Sequence, residues 1–297
     1  MNVMFVLFVK QLIMLDRLMK LNDKNILITG VAKTGTSTMT GMLNCHPKIF
    51  ILYETLLYKK PDYKYANRFI ERYSDAVGLF DEDKNIKELY NKLRSFLCKK
   101  GYCFDFVGDK KPSMNKNIFN FFKDFKIIFM VRDVTTWAKK EHIINKYSLK
   151  TDCSKTIVDY IVFFLYSFFK SNVLHIRMED IIYNRQRVMD SLEVFLDIEM
   201  NNYLDRFWKK IKRFDKNNPK SIQKWEKGHK SSTHRPKRED VVVSLKSHSF
   251  WDVVLPIFYK YYNNVDSVFS SVEINKDIDL LKGLSYKKIK IDELYMK

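Results

Sequence analysis

The sequence contains few cysteines, and they are not arranged as a metal site or a disulfide scaffold. Among 297 residues there are four, Cys45, Cys98, Cys103 and Cys153. So few cysteines in a chain of this length exclude a disulfide framework and favour a reducing compartment. Cys98 and Cys103 also lack a second Cys or His pair at the spacing of a zinc site. We therefore expect all four to be small buried or surface residues in a cytoplasmic protein.

The chain also lacks an uninterrupted apolar run that could span a bilayer. Residues 1–20 are apolar, but Lys10, Asp16 and Arg17 interrupt them, whereas a spanning helix needs about 20 nearly uncharged residues. A signal peptide would place its charges before the apolar run. The segment is predicted to be a helix packed on the domain, with an interfacial helix that gives peripheral membrane contact as the alternative.

Acidic residues are fewer than basic ones. The sequence has 53 Lys and Arg against 35 Asp and Glu, a formal charge of +18. This field attracts anions such as nucleotides, sulfated or phosphorylated sugars, nucleic acid or an acidic membrane face. Because the excess is mostly lysine, solvated charge spread over the surface explains it equally well. Charge alone therefore selects no function, while 46% hydrophobic residues supply a substantial core.

Short apolar runs alternate with longer segments of helical spacing. Five runs bounded by turn residues are strand candidates: Ile26–Thr29, Ile49–Leu52, Phe104–Val107, Ile127–Val131 and Val173–Ile176. Helices are predicted near Thr36 and over Ile86–Leu97, Thr156–Phe169, Arg187–Leu196 and Phe250–Tyr262. This alternation predicts an α/β fold with a central, mostly parallel sheet flanked by helices. Residues 21–297 are predicted to form one domain, with a basic C-terminal flap from about residue 210.

The segment "NILITGVAKTGTSTMTG" predicts an anion site. A strand, a loop between Gly30 and Gly35, and a helix follow one another, so that backbone N–H groups and a helix N-terminus converge on one point. The two glycines have the spacing of an ATP-binding P-loop, but Thr36 stands where an ATPase has lysine, and the lysine is Lys33. This displacement makes nucleoside triphosphate hydrolysis the weaker interpretation.

The sequence K-T-G-T-S resembles the 5′-phosphosulfate loop of sulfotransferases that use 3′-phosphoadenosine 5′-phosphosulfate. The resemblance implies a three-layer P-loop fold. It also implies that Lys33 stabilises charge on the oxygen that bridges phosphorus and sulfur. The residues it assigns to the 5′-phosphosulfate are Lys33, Thr34, Gly35, Thr36, Ser37 and Thr38.

Further segments resemble the same family in the same order. "NCHPKIFILYE" resembles the segment that ends in a glutamate base, which implies that Glu54 accepts the proton of the attacking group. "VGDKKPSMNKN" resembles the "DKSP" box, which implies that Lys110 lies near the sulfuryl group. "FKIIFMVRDVTTWAKK" resembles the 3′-phosphate segment, which implies that Arg132 binds the 3′-phosphate. In that segment Lys140 stands where the family has serine, and we expect this lysine to contact the phosphate as a point charge.

Two later segments extend the resemblance. "VLHIRMEDIIYNRQRVMDSLEVFLDI" resembles a late strand and helix of the family, and we expect its Glu179 and Asp180 to cap or orient a helix. "KGHKSSTHRPKRED" loosely resembles a loop that closes over the nucleotide, which implies contacts from Lys227 and Gly228. A plain basic surface loop is the alternative.

The resemblance implies sulfuryl transfer to a hydroxyl or amine, without a metal. The "HP" and "DKKP" segments favour a carbohydrate acceptor over a small phenol, and no nucleic acid partner is expected. Two alternatives stay open at the level of sequence. One is a P-loop kinase for nucleotides or small molecules. The other is a non-catalytic protein that binds polyanions or a membrane surface.

Overall fold

A parallel sheet of five strands forms the centre of the protein. The computed structural model describes residues 24–53, 86–99, 101–138, 154–200 and 249–284. Within these residues the strand order is β2-β3-β1-β4-β5, and every neighbouring pair is parallel. The strands are β1 (Asn25–Gly30), β2 (Ile49–Tyr53), β3 (Phe106–Pro112), β4 (Lys126–Val131) and β5 (Val173–Arg177). The predicted α/β class with a parallel sheet is confirmed.

Helices cover both faces of this sheet. In the described part of the chain they are α1 (Thr36–Leu43), α2 (Ile86–Lys99), α3 (Ile118–Phe121), α4 (Val134–Ala138), α5 (Ser154–Ser167), α6 (Met178–Tyr183), α7 (Arg185–Leu196), α8 (Ser249–Tyr262) and α9 (Ser271–Leu284). Side chains of α1, α6 and α7 pack on one face, and those of the other six helices pack on the opposite face. The result is three layers.

The alternating direction of strand side chains explains why both faces are apolar. Along β1, Leu27 contributes to one core cluster, and Ile26 and Ile28 contribute to the other. Because a strand buried on both faces must be apolar at nearly every position, parallel strands appear in sequence as continuous apolar runs. This is why β1, β4 and β5 were predictable within one or two residues.

The strand register brings the carboxyl ends of the strands together. Gly30 at the end of β1 pairs with Pro112 of β3 and with Met130 of β4, while Tyr53 at the end of β2 pairs with Lys110. In open α/β sheets, ligands bind in the crevice outside this edge, where the chain order changes direction. That point here is β1, since the chain runs outward to β2 and later crosses back to β4.

The predicted position of the third strand is wrong, because the strand begins and ends later in the chain. We expected Phe104–Val107, and the strand is Phe106–Pro112. Its second half, including Asp109 and Lys110, is charged and is typical of a loop, yet both residues are buried at 1% and 5% exposure. They continue the strand because their backbones pair with β1 on one side and, at these two residues, with β2 on the other.

Two of the four cysteines, which we expected to be small buried or surface residues, are joined to each other. Cys98 at the end of α2 and Cys103 in the following turn form a disulfide across a sequence separation of five. The reason is local: the chain reverses at Gly101, with a φ of 86°, and this turn brings the two side chains together. Cys45 is buried and stands outside this disulfide, as expected. The predicted cytoplasmic location stays a prediction.

Several predictions fall on residues that lie outside the described ranges. They are the N-terminal helix over residues 1–20 and the basic flap from about residue 210 to 248. In the part of the chain that is described, no helix is long and apolar enough to cross a membrane.

Candidate functional site

The loop between β1 and α1 has the backbone geometry of an anion cradle. Gly30 and Gly35 have φ values of 135° and 102°, and Lys33 has a φ of 72°. A Cβ at Gly30 would collide with the carbonyl oxygen of Met130, so β4 approaches too closely for any larger residue. The loop is closed by Thr34, whose N–H and hydroxyl both donate to the carbonyl of Val31, at 3.2 and 2.7 Å.

This closure refines the predicted phosphate contacts. The N–H of Thr34 is engaged by Val31, so the cradle is formed by the loop after it and by the start of α1. Gly35 precedes α1 without a side-chain cap, and the first N–H groups of a helix have no acceptor inside that helix. Positive ends of peptide dipoles therefore gather at Thr36, Ser37 and Thr38.

A buried lysine approaches the cradle from β3. The Nζ of Lys110 donates to the Ser37 hydroxyl at 3.0 Å. Its neighbour Asp109 turns to the opposite face, where Tyr90 of α2 donates to its carboxylate at 3.0 Å. The lysine and the aspartate lie on opposite faces because successive strand residues alternate. A cation is thereby fixed beside the loop.

A buried arginine approaches the cradle from the end of β4. Arg132 is 8% exposed, and its Nη1 donates to the carbonyl of Lys33 at 3.4 Å. Its backbone is held by a single hydroxyl: Tyr160 of α5 accepts from the Arg132 N–H at 2.9 Å and donates to the Arg132 carbonyl at 2.5 Å. Burial raises the pKa of Tyr160 well above its ordinary value, so this hydroxyl keeps its proton.

The same turn is tied to the phosphate loop by a second contact. Trp137 of α4 donates from its indole nitrogen to the carbonyl of Ala32 at 2.8 Å. Its ring stacks on Tyr160 with centroids 4.7 Å apart. The loop, the end of β4 and α5 therefore form one connected unit beneath Arg132.

Two carboxylates beside Arg132 are bound by tyrosines of α8. Tyr259 donates to Asp133 at 2.6 Å, and Tyr262 donates to Glu179 at 2.5 Å. The other Glu179 oxygen accepts from the N–H of Asp133 at 3.3 Å. Burial raises the pKa of Glu179, although the Tyr262 hydroxyl and the Arg132 charge oppose this. Burial likewise raises the pKa of Tyr262 far beyond its ordinary value.

Glu179 and Asp180 orient helices, as we expected from their place in the sequence. Glu179 accepts from Asp133 just before α4. Asp180 accepts two bonds from Arg177 and one from Asn184 across α6. Burial opposes ionisation of Asp180, yet these hydrogen bonds lower its pKa below the ordinary value. The tyrosines of α5 and α8 were missed, because nothing in their local sequence distinguishes them from core aromatics.

His46 of the "HP" segment has a structural position. Its Nδ1 accepts from the N–H of Lys48 at 3.1 Å, and its Nε2 lies 2.9 Å from the carbonyl of Glu199. Since a carbonyl only accepts, the proton is on Nε2 and the ring is neutral. The histidine thus connects the turn before β2 to the residues after α7.

The structure gathers part of the predicted site. Lys33 is exposed at the loop, and Thr36 to Thr38, Lys110 and Arg132 surround the same strand ends. Four predicted residues lie outside the described ranges: Glu54, Lys140, Lys227 and Gly228. Among the residues that are described, no cluster of His, Cys, Asp or Glu could hold a metal ion. The assigned roles stay predictions.

A glycine-turned loop after the first strand of a parallel sheet, with buried cations on both sides, is the arrangement that α/β proteins typically use to bind an anionic group. The family is shown by a model described as "Sulfotransferase family", which matches residues 25–202. The chain belongs to the sulfotransferase family, and it is therefore a transferase whose family reaction is sulfuryl transfer.

Two solved sulfotransferase domains are similar to the chain. One is from the olefin synthase of Synechococcus PCC 7002, with 13% identity and a TM-score of 0.44, covering 82% of this chain and 97% of that domain. The other is from the curacin biosynthetic pathway, with 14% identity and a TM-score of 0.43, covering 89% of this chain and 98% of that domain. A search of curated proteins finds no match.

Proposed function

We propose that the protein transfers a sulfuryl group from 3′-phosphoadenosine 5′-phosphosulfate to a hydroxyl or amine of a carbohydrate acceptor. One observation carries the choice of donor: two buried cations, Lys110 and Arg132, flank the phosphate loop from the strands on either side of β1. A donor with anionic groups at both its 5′ and 3′ positions would use both cations at once. A nucleotide with only 5′-phosphates would leave Arg132 without a partner.

In this proposal the reaction is an in-line substitution at sulfur. An acceptor oxygen or nitrogen forms a bond to sulfur while the bond from sulfur to the bridging oxygen breaks. The acceptor proton passes to the carboxylate of Glu54, and adenosine 3′,5′-bisphosphate leaves. Negative charge grows on the bridging oxygen, where Lys33 and Lys110 would stabilise it more in the transition state than in the ground state.

The two lysines differ in how firmly the structure holds them. Lys110 is immobilised by burial and by its bond to Ser37, so its charge is preorganised. Lys33 is exposed on the loop and is free to follow the sulfuryl group. The base role of Glu54 and the contacts of Lys140, Lys227 and Gly228 rest on the family resemblance.

The carbohydrate acceptor is supported by the "HP" and "DKKP" segments of the sequence. The surplus of basic residues is consistent with a polyanionic or sulfated sugar. An assay with a panel of polysaccharides and labelled donor addresses the acceptor directly. Incorporation of label into a phenol or a peptide, with none into sugars, would overturn the carbohydrate assignment and leave the donor assignment standing.

The donor is tested by calorimetric titration with adenosine 3′,5′-bisphosphate, adenosine 5′-phosphate and magnesium ATP. We expect the bisphosphate to bind most tightly. Arg132→Ala should weaken the bisphosphate about 10- to 100-fold, since hydrogen bonds to charged groups contribute about 1.5–3 kcal/mol, and should leave adenosine 5′-phosphate nearly unchanged. The control is Arg187→Ala, which removes an exposed arginine paired with Asp266. Equal binding of all three nucleotides would refute the proposal.

A further inference from the structure

Arg132 is a buried cation that forms no ion pair with any described residue. Its Nε is buried and has no hydrogen-bond partner in the described part of the chain. The only bond that its guanidinium makes there is the long one to the Lys33 carbonyl, at 3.4 Å. A buried arginine ordinarily pairs with a carboxylate, because an unpaired buried charge is costly. Here the available carboxylates are engaged elsewhere.

The neighbouring carboxylates accept hydrogen bonds from other donors. Glu179 accepts from the Asp133 N–H with one oxygen and from the Tyr262 hydroxyl with the other. Asp133 accepts from Tyr259 with one oxygen, and from the Thr135 hydroxyl and the Thr136 N–H with the other, at 2.5 and 2.8 Å. Every carboxylate oxygen next to Arg132 therefore has a donor that is not Arg132.

We propose that Tyr262 determines specificity for the 3′-phosphate by occupying Glu179, so that the Arg132 guanidinium stays available for that phosphate. This inference rests on the proposed donor. Tyr262 lies outside residues 25–202, the part matched by the family model. It acts through Glu179 and Arg132, and is a positioning residue that does not itself contact the donor.

The physical step is competition between two anions for one cation. Burial raises the pKa of Glu179 and so disfavours its charge, while the Tyr262 hydroxyl and the Arg132 charge act in the opposite direction and favour it. Without the hydroxyl, one Glu179 oxygen would lose its donor in a site of low dielectric. The Arg132 charge already acts on Glu179, and the buried Nε of Arg132 has no hydrogen-bond partner in the described part of the chain. The arginine would then pair with Glu179, and the 3′-phosphate would have to displace a carboxylate.

Tyr262→Phe isolates this effect because it removes only the hydroxyl. The ring stacks on Phe258 at 5.0 Å and lies under the guanidinium of Arg177 at 5.4 Å, and phenylalanine keeps both contacts. A matched control lies one residue earlier. Tyr261 is fully buried in the same helix and donates to Asp277 of α9 at 2.8 Å, away from Arg132.

The measured quantity is the ratio of dissociation constants for adenosine 5′-phosphate and adenosine 3′,5′-bisphosphate, determined by calorimetry on the full chain. We expect Tyr262→Phe to reduce the preference for the bisphosphate about tenfold, since a bond to a charged group is lost. Tyr261→Phe should lower thermal stability and leave the ratio at the wild-type value. A general destabilisation of the fold would weaken the binding of both nucleotides to the same extent and would not change the ratio of their dissociation constants.

A double variant separates competition from loss of packing. Glu179→Gln removes the competing charge, so Tyr262→Phe combined with Glu179→Gln should restore most of the preference. If the double variant is no better than Tyr262→Phe, competition by Glu179 is refuted. An unchanged ratio in Tyr262→Phe, with a clear preference in the wild type, overturns this inference alone. No preference in the wild type overturns the proposed donor and this inference with it.

Discussion

Replacing Tyr160 by phenylalanine deletes one buried oxygen that holds the backbone of Arg132 on both sides. The hydroxyl accepts from the Arg132 N–H at 2.9 Å and donates to its carbonyl at 2.5 Å. Tyr160 is 0% exposed, so both backbone groups would be left without a partner or with a strained water. At about 1–3 kcal/mol for each of the two unsatisfied groups, we expect the free energy of unfolding to fall by about 2–6 kcal/mol.

Denaturant unfolding of wild type and Tyr160→Phe measures this cost. The stacking of the ring on Trp137 is retained, so the difference reports the hydroxyl. Because burial raises the pKa of Tyr160 well above its ordinary value, the difference should not change between pH 6 and pH 8. Tyr166→Phe, in the same helix but with no hydrogen bond from its hydroxyl to a described residue, should shift stability by less than about 0.5 kcal/mol. A Tyr160→Phe loss below that value would refute the argument.

Two further outcomes follow from the buried charges. Lys110→Met should slow sulfuryl transfer from the labelled donor about 100-fold in single-turnover assays with a polysaccharide acceptor. The control is Lys126→Met, which removes a buried lysine bound to the Phe195 carbonyl at 2.8 Å. This variant should be less stable but should transfer the sulfuryl group at the wild-type rate. Equal rates for the two variants would exclude a role of the Lys110 charge in catalysis. For Glu179, burial raises the pKa above 4.5, so its contribution to stability falls as pH rises from 4.5 through the folded-state pKa. When the free energy of unfolding is measured against pH, Glu179→Gln should lack this fall. If the curves of wild type and Glu179→Gln run parallel over that range, the prediction is wrong.

The sequence predicts the framework well where each strand is buried on both faces. β1, β4 and β5 are apolar runs, and their carboxyl ends meet because parallel neighbours run in the same direction. The gathering of Ser37, Lys110 and Arg132 at one edge therefore follows from strand order and motif position. β3 was misplaced since its second half carries the charged residues of the site. An apolar pattern does not predict the full length of a strand whose end carries the polar residues of a functional site.

The tyrosine contacts were not predictable for a different reason. Tyr259 and Asp133 are 126 positions apart, and Tyr262 and Glu179 are 83 apart. Apolar periodicity places α8 against the sheet, but it does not say which rotation puts a hydroxyl opposite a carboxylate. The same holds for Tyr160, whose sequence context is that of a core aromatic. Such contacts depend on the packed helix, and only the folded chain displays them.

The site stays positive because the aspartates next to its buried cations are hydrogen-bonded to tyrosines and not to the cations. Each of its buried cations has an aspartate as its neighbour in sequence, Asp109 before Lys110 and Asp133 after Arg132. On both sides of β1 a tyrosine from a helix of the α2 and α8 face donates to that aspartate, Tyr90 at 3.0 Å and Tyr259 at 2.6 Å. A neutral hydroxyl satisfies a carboxylate without supplying a charge, so each adjacent cation still presents its charge at the loop. Removing the hydroxyls of Tyr90 and Tyr259 should therefore weaken anion binding through their effect on the two aspartates.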